Sequence, residues 1–267
     1  MRHSNRAMTM AAIFGLVVVG LGVTHESGAQ SPTPSVEERT ATTHPIRYFL
    51  SLPQGWTRDR RWPVAMVITD ADREFENTAR AFAAARGAAP FIVVVPLVLS
   101  GGGPARQHMP DFDYAPAVWA FADSVGNCRF DADGITAVLR DVQERFGADE
   151  RMFITGWEAG GHVVLAQLAE HPERIRAVVA VTPNYQGRCV TAPRRAPQAS
   201  TIPIRVFHGS EDPSWAPGQP LYAQWFRIDS MTRALGLTNV ADTLIAGRGH
   251  GALPADVLRF FARLLEK

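Results

Sequence analysis

The chain is poor in cysteine and has no basic run, no Walker motif and no zinc-finger spacing. Two cysteines stand in 267 residues, Cys128 and Cys189. Lys and Arg number 27 against 26 Asp and Glu, a net charge of +1. So even a balance implies no polyanion partner, and nucleic-acid or nucleotide binding has no support. The acidic and histidine residues that attract attention below (Asp70, Asp72, Glu158, Asp212, His250) have no metal-ligand spacing of their own. No metal and no cofactor is expected. What is present suits one globular domain with a sizeable core, since 46% of residues are hydrophobic and 20% charged.

The N-terminus reads as an export signal. Arg2 and Arg6 form a basic start, and the apolar run Ala11 to Val23 is 13 residues long, short for a membrane span. Ser27 and Ala29 are small residues placed for cleavage after Ala29. Residues 1–29 are therefore expected to be a signal peptide, with no stable membrane anchor after cleavage and a secreted or periplasmic mature protein. Residues 30–44, polar with two prolines, read as a flexible lead-in. Residues 45–267 form the domain. Export permits a disulfide, and both cysteines sit in loop-like sequence, VGNCRF and QGRCVT. One Cys128–Cys189 bridge is the reading, with two unpaired thiols as its alternative.

Within the domain, apolar runs alternate with amphipathic ones. Strands are expected over Ile46–Leu52, Val64–Thr69, Phe91–Val98, Arg151–Thr155, Ile175–Pro183, Ile202–Gly209 and Asp242–Gly247. Helices are expected over Phe75–Arg86, Ile135–Phe146, Gly160–His171, Leu221–Leu235 and Ala255–Leu265. The stretch Gly101–Phe130, with Phe112, Tyr114, Trp119 and Phe121, reads as a long loop whose rings roof the core or wall an apolar cleft. Continuous apolar strands alternating with helices imply a mostly parallel central sheet with helices on both faces.

One stretch carries the chemistry. FITGWEAGGHVVL runs from an apolar strand through a glycine-rich turn into a helix. That is the setting of a G-x-S-x-G nucleophile elbow, and its central position holds Glu158. After the strand IPIRVF comes HGSEDPSWAP, which sets Asp212 where a triad acid belongs. After the last strand comes GRGHG, which sets His250 where the triad histidine belongs. Three sites in the chain order nucleophile, acid, histidine are far more specific than the glycine pattern alone.

On these residues the chain resembles secreted α/β-hydrolases of the feruloyl esterase and polyhydroxybutyrate depolymerase group, near the esterase D relatives. The resemblance runs from about Ile46 to Leu265. It rests on FDADGITAVLRDVQERFGADERMFITGWEAGG, on FHGSEDPSWAP and on GRGH. It implies an α/β-hydrolase fold, Asp212 as acid, His250 as base, and Glu158 at the nucleophile position. It also marks a second departure: Thr69 and Asp70 stand where a His-Gly pair would shape the oxyanion hole. A carboxylate there repels the charge such a hole stabilises.

Two functions follow. Glutamate has no hydroxyl for His250 to deprotonate, so serine acyl-enzyme chemistry is closed at this position. The first expectation is a degenerate ester-hydrolase site that keeps ligand binding, with Glu158 accepting the Ala159 N–H or pairing with His250. The ligand would be a small ester or aromatic molecule bounded by Trp157, Ala159 and Asp70. The alternative is an active hydrolase in which Glu158 serves as carboxylate nucleophile or base with His250 and Asp212. His208 reads as structural, and His162 as a packed or solvent-facing histidine, with lining the pocket as its alternative.

Overall fold

A computed structural model describes residues 34–101, 112–195 and 200–266. The expected signal segment 1–29 lies outside the described residues. Eight strands form one sheet: β1 Glu37–Thr40, β2 Arg47–Ser51, β3 Val64–Ile68, β4 Ile92–Pro96, β5 Met152–Trp157, β6 Ile175–Val181, β7 Ile204–Gly209 and β8 Val240–Ile245. Their spatial order is β1-β2-β4-β3-β5-β6-β7-β8. Strands β3 to β8 run parallel, whereas β2 is antiparallel to both β4 and β1. Among the described residues, six α-helices accompany them: α1 Phe75–Arg86, α2 Pro116–Val125, α3 Asn127–Phe146, α4 Gly160–Glu170, α5 Pro220–Ala234 and α6 Pro254–Arg263.

Every residue of β3 and β4 is buried, which requires cover on both faces of the sheet. The alternation of β5 shows how that cover is divided. A Cβ on Gly156 would lie 2.7 Å from Val164 of α4. Its neighbour Thr155 lines a space shared with Thr78 and Phe82 of α1. Successive strand residues face opposite sides, so α1 and α4 lie on opposite faces.

Two boundaries differ from the sequence reading. Strand β1 falls inside the stretch 30–44 expected as a lead-in, so the sheet begins before residue 45. Its charges suit an edge position, and Glu38 pairs with Arg47 of β2 at 3.1 Å. The long stretch expected as a loop carries α2, and α3 begins at Asn127 rather than Ile135. Gly134 is interior to α3 because the helix presses on β2's entry there: a Cβ would meet Ile46 Cδ1 at 2.7 Å. The rings of that stretch roof the core. Phe112 is buried and packs on Phe75 at 5.4 Å, and Tyr114 and Trp119 pack on each other at 5.6 Å. Among the described residues, no helix is long and apolar enough to cross a membrane.

Candidate active site at the elbow

Strand β5 delivers the chain to a turn that glycines make possible. A Cβ on Gly160 would sit 2.4 Å from the Thr69 carbonyl oxygen, and one on Gly161 2.5 Å from Pro183 Cβ. The start of α4 is thus pressed between the end of β3 and the segment after β6. Glu158, at the turn's apex, takes φ +46°, a left-handed conformation that costs a non-glycine residue on the order of 1–3 kcal/mol. Three main-chain bonds hold it there. Its N–H donates to the Val181 carbonyl at 3.0 Å, and its own carbonyl accepts from Gly161 at 2.9 Å and Asn184 at 2.8 Å.

The acid and histidine come from the expected places. Asp212 follows β7, and His250 lies in the turn between β8 and α6. That turn crosses close over Gly209, where a Cβ would lie 2.0 Å from the Arg248 carbonyl oxygen. His250 Nδ1 is 2.9 Å from Asp212 Oδ2, and its Nε2 is 3.7 Å from Glu158 Oε1. The Asp212 side chain is fully buried. An ionised carboxylate only accepts, so Nδ1 carries the proton of that bond. Two of the three cleft residues of the sequence reading adjoin: the Trp157 ring lies 5.4 Å from the His250 ring, and Ala159 follows Glu158 at the entry to α4.

Glu158 does not bond to the Ala159 N–H. Its carboxylate turns to His250 instead, at ion-pair distance but beyond hydrogen-bond reach. The side chain is 36% exposed, so solvent screens the pair and it stabilises the fold by only about 0–1 kcal/mol. The imidazole is flanked by carboxylates on both nitrogens.

Two positioning residues escaped the sequence reading. Ser214 Oγ donates to Asp212 Oδ1 and lies 3.0 Å from His250 Nδ1, and the Ser214 N–H donates to Asp212 Oδ1 at 2.9 Å. Thr182 Oγ1 donates to Asp212 Oδ2 at 3.0 Å. Asp-Pro-Ser carries a weak signal for the first, since an aspartate readily bonds the N–H two residues on. Nothing marks Thr182. Burial alone would push Asp212 up, but the bonds from Ser214 and His250 outweigh it and leave its carboxyl below the ordinary carboxylate value.

Asp70 is buried just beyond β3. Burial raises its carboxyl, and the charges of Asp72 and Glu158 raise it further. Asp70 therefore shares the electrostatic field of Glu158. Among the described residues, no group of three or more His, Cys, Asp and Glu side chains is arranged to hold a metal ion.

Two buried titratable groups flank the site. Asp131 accepts from the N–H groups of Leu99 and Ser100, each at 2.7 Å, and from the Ser100 hydroxyl. It thereby fixes the segment that passes Thr69 and Asp70. Burial pushes its carboxyl up to about 6. His162, in the first turn of α4, is fully buried, and its Nδ1 lies 3.2 Å from the Arg188 guanidinium. Burial, then that cation, push it down to about 4. Their linkage to folding has opposite signs. Asp131 binds its proton more tightly when folded, so its contribution is full below pH 4 and is lost as pH rises through 6. His162 binds its proton less tightly when folded, so its contribution is full above 6.5 and is lost as pH falls through 4. Between pH 4 and 6 the two slopes offset. Asp131→Asn is expected to leave a stability that rises with pH by about 1 kcal/mol per pH unit relative to the natural protein. His162→Gln is expected to leave one that falls. Urea titrations at pH 4, 5 and 6 read both slopes, and parallel pH profiles in all three proteins would refute the assignment.

His208 pairs with Asp242 at 3.2 Å and stacks on Trp215, a structural place as its sequence position suggests. Cys128 and Cys189 form a disulfide with Cα atoms 5.1 Å apart.

No protein-family model matches the sequence, and no curated protein matches it. Solved structures do. A candidate dienelactone hydrolase from Klebsiella pneumoniae subsp. pneumoniae is 15% identical with a TM-score of 0.59, over 87% of this chain and 99% of its own. A poly(3-hydroxybutyrate) depolymerase from Bordetella parapertussis is 16% identical with a TM-score of 0.55, over 87% and 88%. A siderophore hydrolase from Aspergillus nidulans is 18% identical with a TM-score of 0.53, over 90% and 96%. With the eight-stranded, mostly parallel sheet, these likenesses establish the α/β-hydrolase fold.

Proposed function

We propose that this α/β-hydrolase-fold chain is an exported, non-catalytic relative of carboxylic-ester hydrolases that keeps a ligand cleft at its elbow. One observation carries the reading. Glu158 stands at the apex of a strained elbow, 3.7 Å from His250 Nε2, where an ester hydrolase needs a hydroxyl. The acid–histidine bond is intact, yet Nε2 faces a group with no proton to surrender. The similarity to a depolymerase and to a siderophore hydrolase supports descent from ester-cleaving enzymes. The ligand class is a small ester or aromatic molecule, bounded by Trp157, Ala159 and Asp70. Export is supported by the disulfide, which an oxidising compartment maintains. N-terminal sequencing of the exported protein should begin at Gln30.

A second reading has its own observation. The Glu158 carboxylate is 36% exposed and its one ion-pair partner among the described residues is His250, so it is open to attack an ester's acyl carbon and expel its alcohol, with His250 and Asp212 activating water to hydrolyse the resulting mixed anhydride. Hydrolysis of a short-chain nitrophenyl ester separates the two. The non-catalytic reading expects the natural protein to match buffer. Turnover lost in both Glu158→Gln and His250→Ala would overturn it in favour of the carboxylate mechanism.

A further inference from the structure

Among the described residues, three polar atoms beneath the elbow have no hydrogen-bond partner: Thr69 Oγ1, Thr155 Oγ1 and Trp157 Nε1. Thr69 and Thr155 are 2% and 1% exposed, so neither hydroxyl reaches bulk solvent. All three residues line one small space, which Thr78 and Phe82 of α1 and Ala252 of the histidine turn also line. The volume open to the centre of a water is only about 10 Å³, room for one molecule. An indole N–H can only donate, whereas a threonine hydroxyl donates or accepts. An occupant that satisfies all three must accept from the indole and exchange hydrogen bonds with two hydroxyls. A cation cannot accept, and an apolar group can do neither.

We infer that this space is a binding site for a single water, held by Thr69, Thr155 and Trp157. Buried polar groups without partners are rare in folded proteins, and three of them on residues that line one water-sized space match the two to four partners that a buried water takes. The site's place gives it a role. Thr69 precedes Asp70, Trp157 precedes Glu158, and Ala252 follows His250 by two residues. The water ties together the ends of β3 and β5 and fixes the indole whose ring faces His250 at 5.4 Å. It is a positioning element under the cleft floor, and it does not depend on whether the site above turns over ester.

The test is made on ¹⁵N-labelled protein. Trp157→Phe identifies the Trp157 indole resonance by its disappearance. In the natural protein that indole N–H is expected to show a cross-relaxation peak to a long-lived water. Thr155→Val keeps the side chain's shape but removes the hydroxyl, and is expected to lose the peak. Thr69→Val provides the same reading should Thr155→Val not fold. A natural protein with no such peak, or a peak unchanged in a folded valine variant, overturns the proposal.

Discussion

Glu158→Ser is expected to hydrolyse a short-chain nitrophenyl ester at a rate at least about 10³-fold above the natural protein, since removing the serine of a Ser-His-Asp triad costs more than that where it has been measured. The geometry that makes the gain possible is already in place. Asp212 is buried and bonded by Ser214 and Thr182, so it holds His250 with Nδ1 toward the acid and Nε2 toward residue 158. The main chain at 158 is pinned by Val181, Gly161 and Asn184, and the turn survives a change of side chain. The gain must vanish in Glu158→Ser combined with His250→Ala. It should remain short of a full esterase because Asp70 sits at the oxyanion strand. A second change, Asp70→Asn, is expected to add about 10-fold by removing that charge. A folded Glu158→Ser without activity would mean that the oxyanion strand is the deeper defect.

Removing the disulfide gives the largest expected loss of stability. Cys128 and Cys189 are 61 residues apart in sequence, and a bridge closing a loop of that size restricts the unfolded chain by roughly 4 kcal/mol. Cys128 stands in the first turn of α3, and Cys189 follows Arg188, whose guanidinium meets the buried His162. The bridge thus ties the segment after β6 to α3. The double variant Cys128→Ser, Cys189→Ser is expected to lose roughly 4 kcal/mol in urea, and reduction of the natural protein to reproduce that loss. A change below about 1 kcal/mol would mean that the bridge adds little to a loop already constrained in the unfolded state.

The parts of this molecule legible in its sequence are those where one physical signal dominates. β3 and β4 are continuous apolar runs, and they are central strands buried on both faces. Glu158, Asp212 and His250 follow strand ends in the expected order, and the structure brings all three together. The start of α3 was hidden because Gly134 reads as a break, when its missing side chain is what lets the helix lie on Ile46. β1 was hidden because its charges suit an edge strand and a loop equally well. Thr182 and Asp131 act through partners 30 or more residues away in sequence, and no local pattern announces such a hydrogen bond. The direction of the Glu158 carboxylate was open too: both Ala159 and His250 were reachable from the elbow.

The account's central claim is that the acid and histidine are in place and that residue 158 lacks the nucleophilic hydroxyl. Labelling with a fluorophosphonate, which phosphonylates an activated serine, tests this directly when read by intact mass and peptide mapping. The natural protein is expected to stay unlabelled. Glu158→Ser is expected to take up one phosphonyl group at residue 158, and to lose it when His250→Ala is added. Labelling of the natural protein at another serine, or a folded Glu158→Ser that stays unlabelled, would contradict the claim.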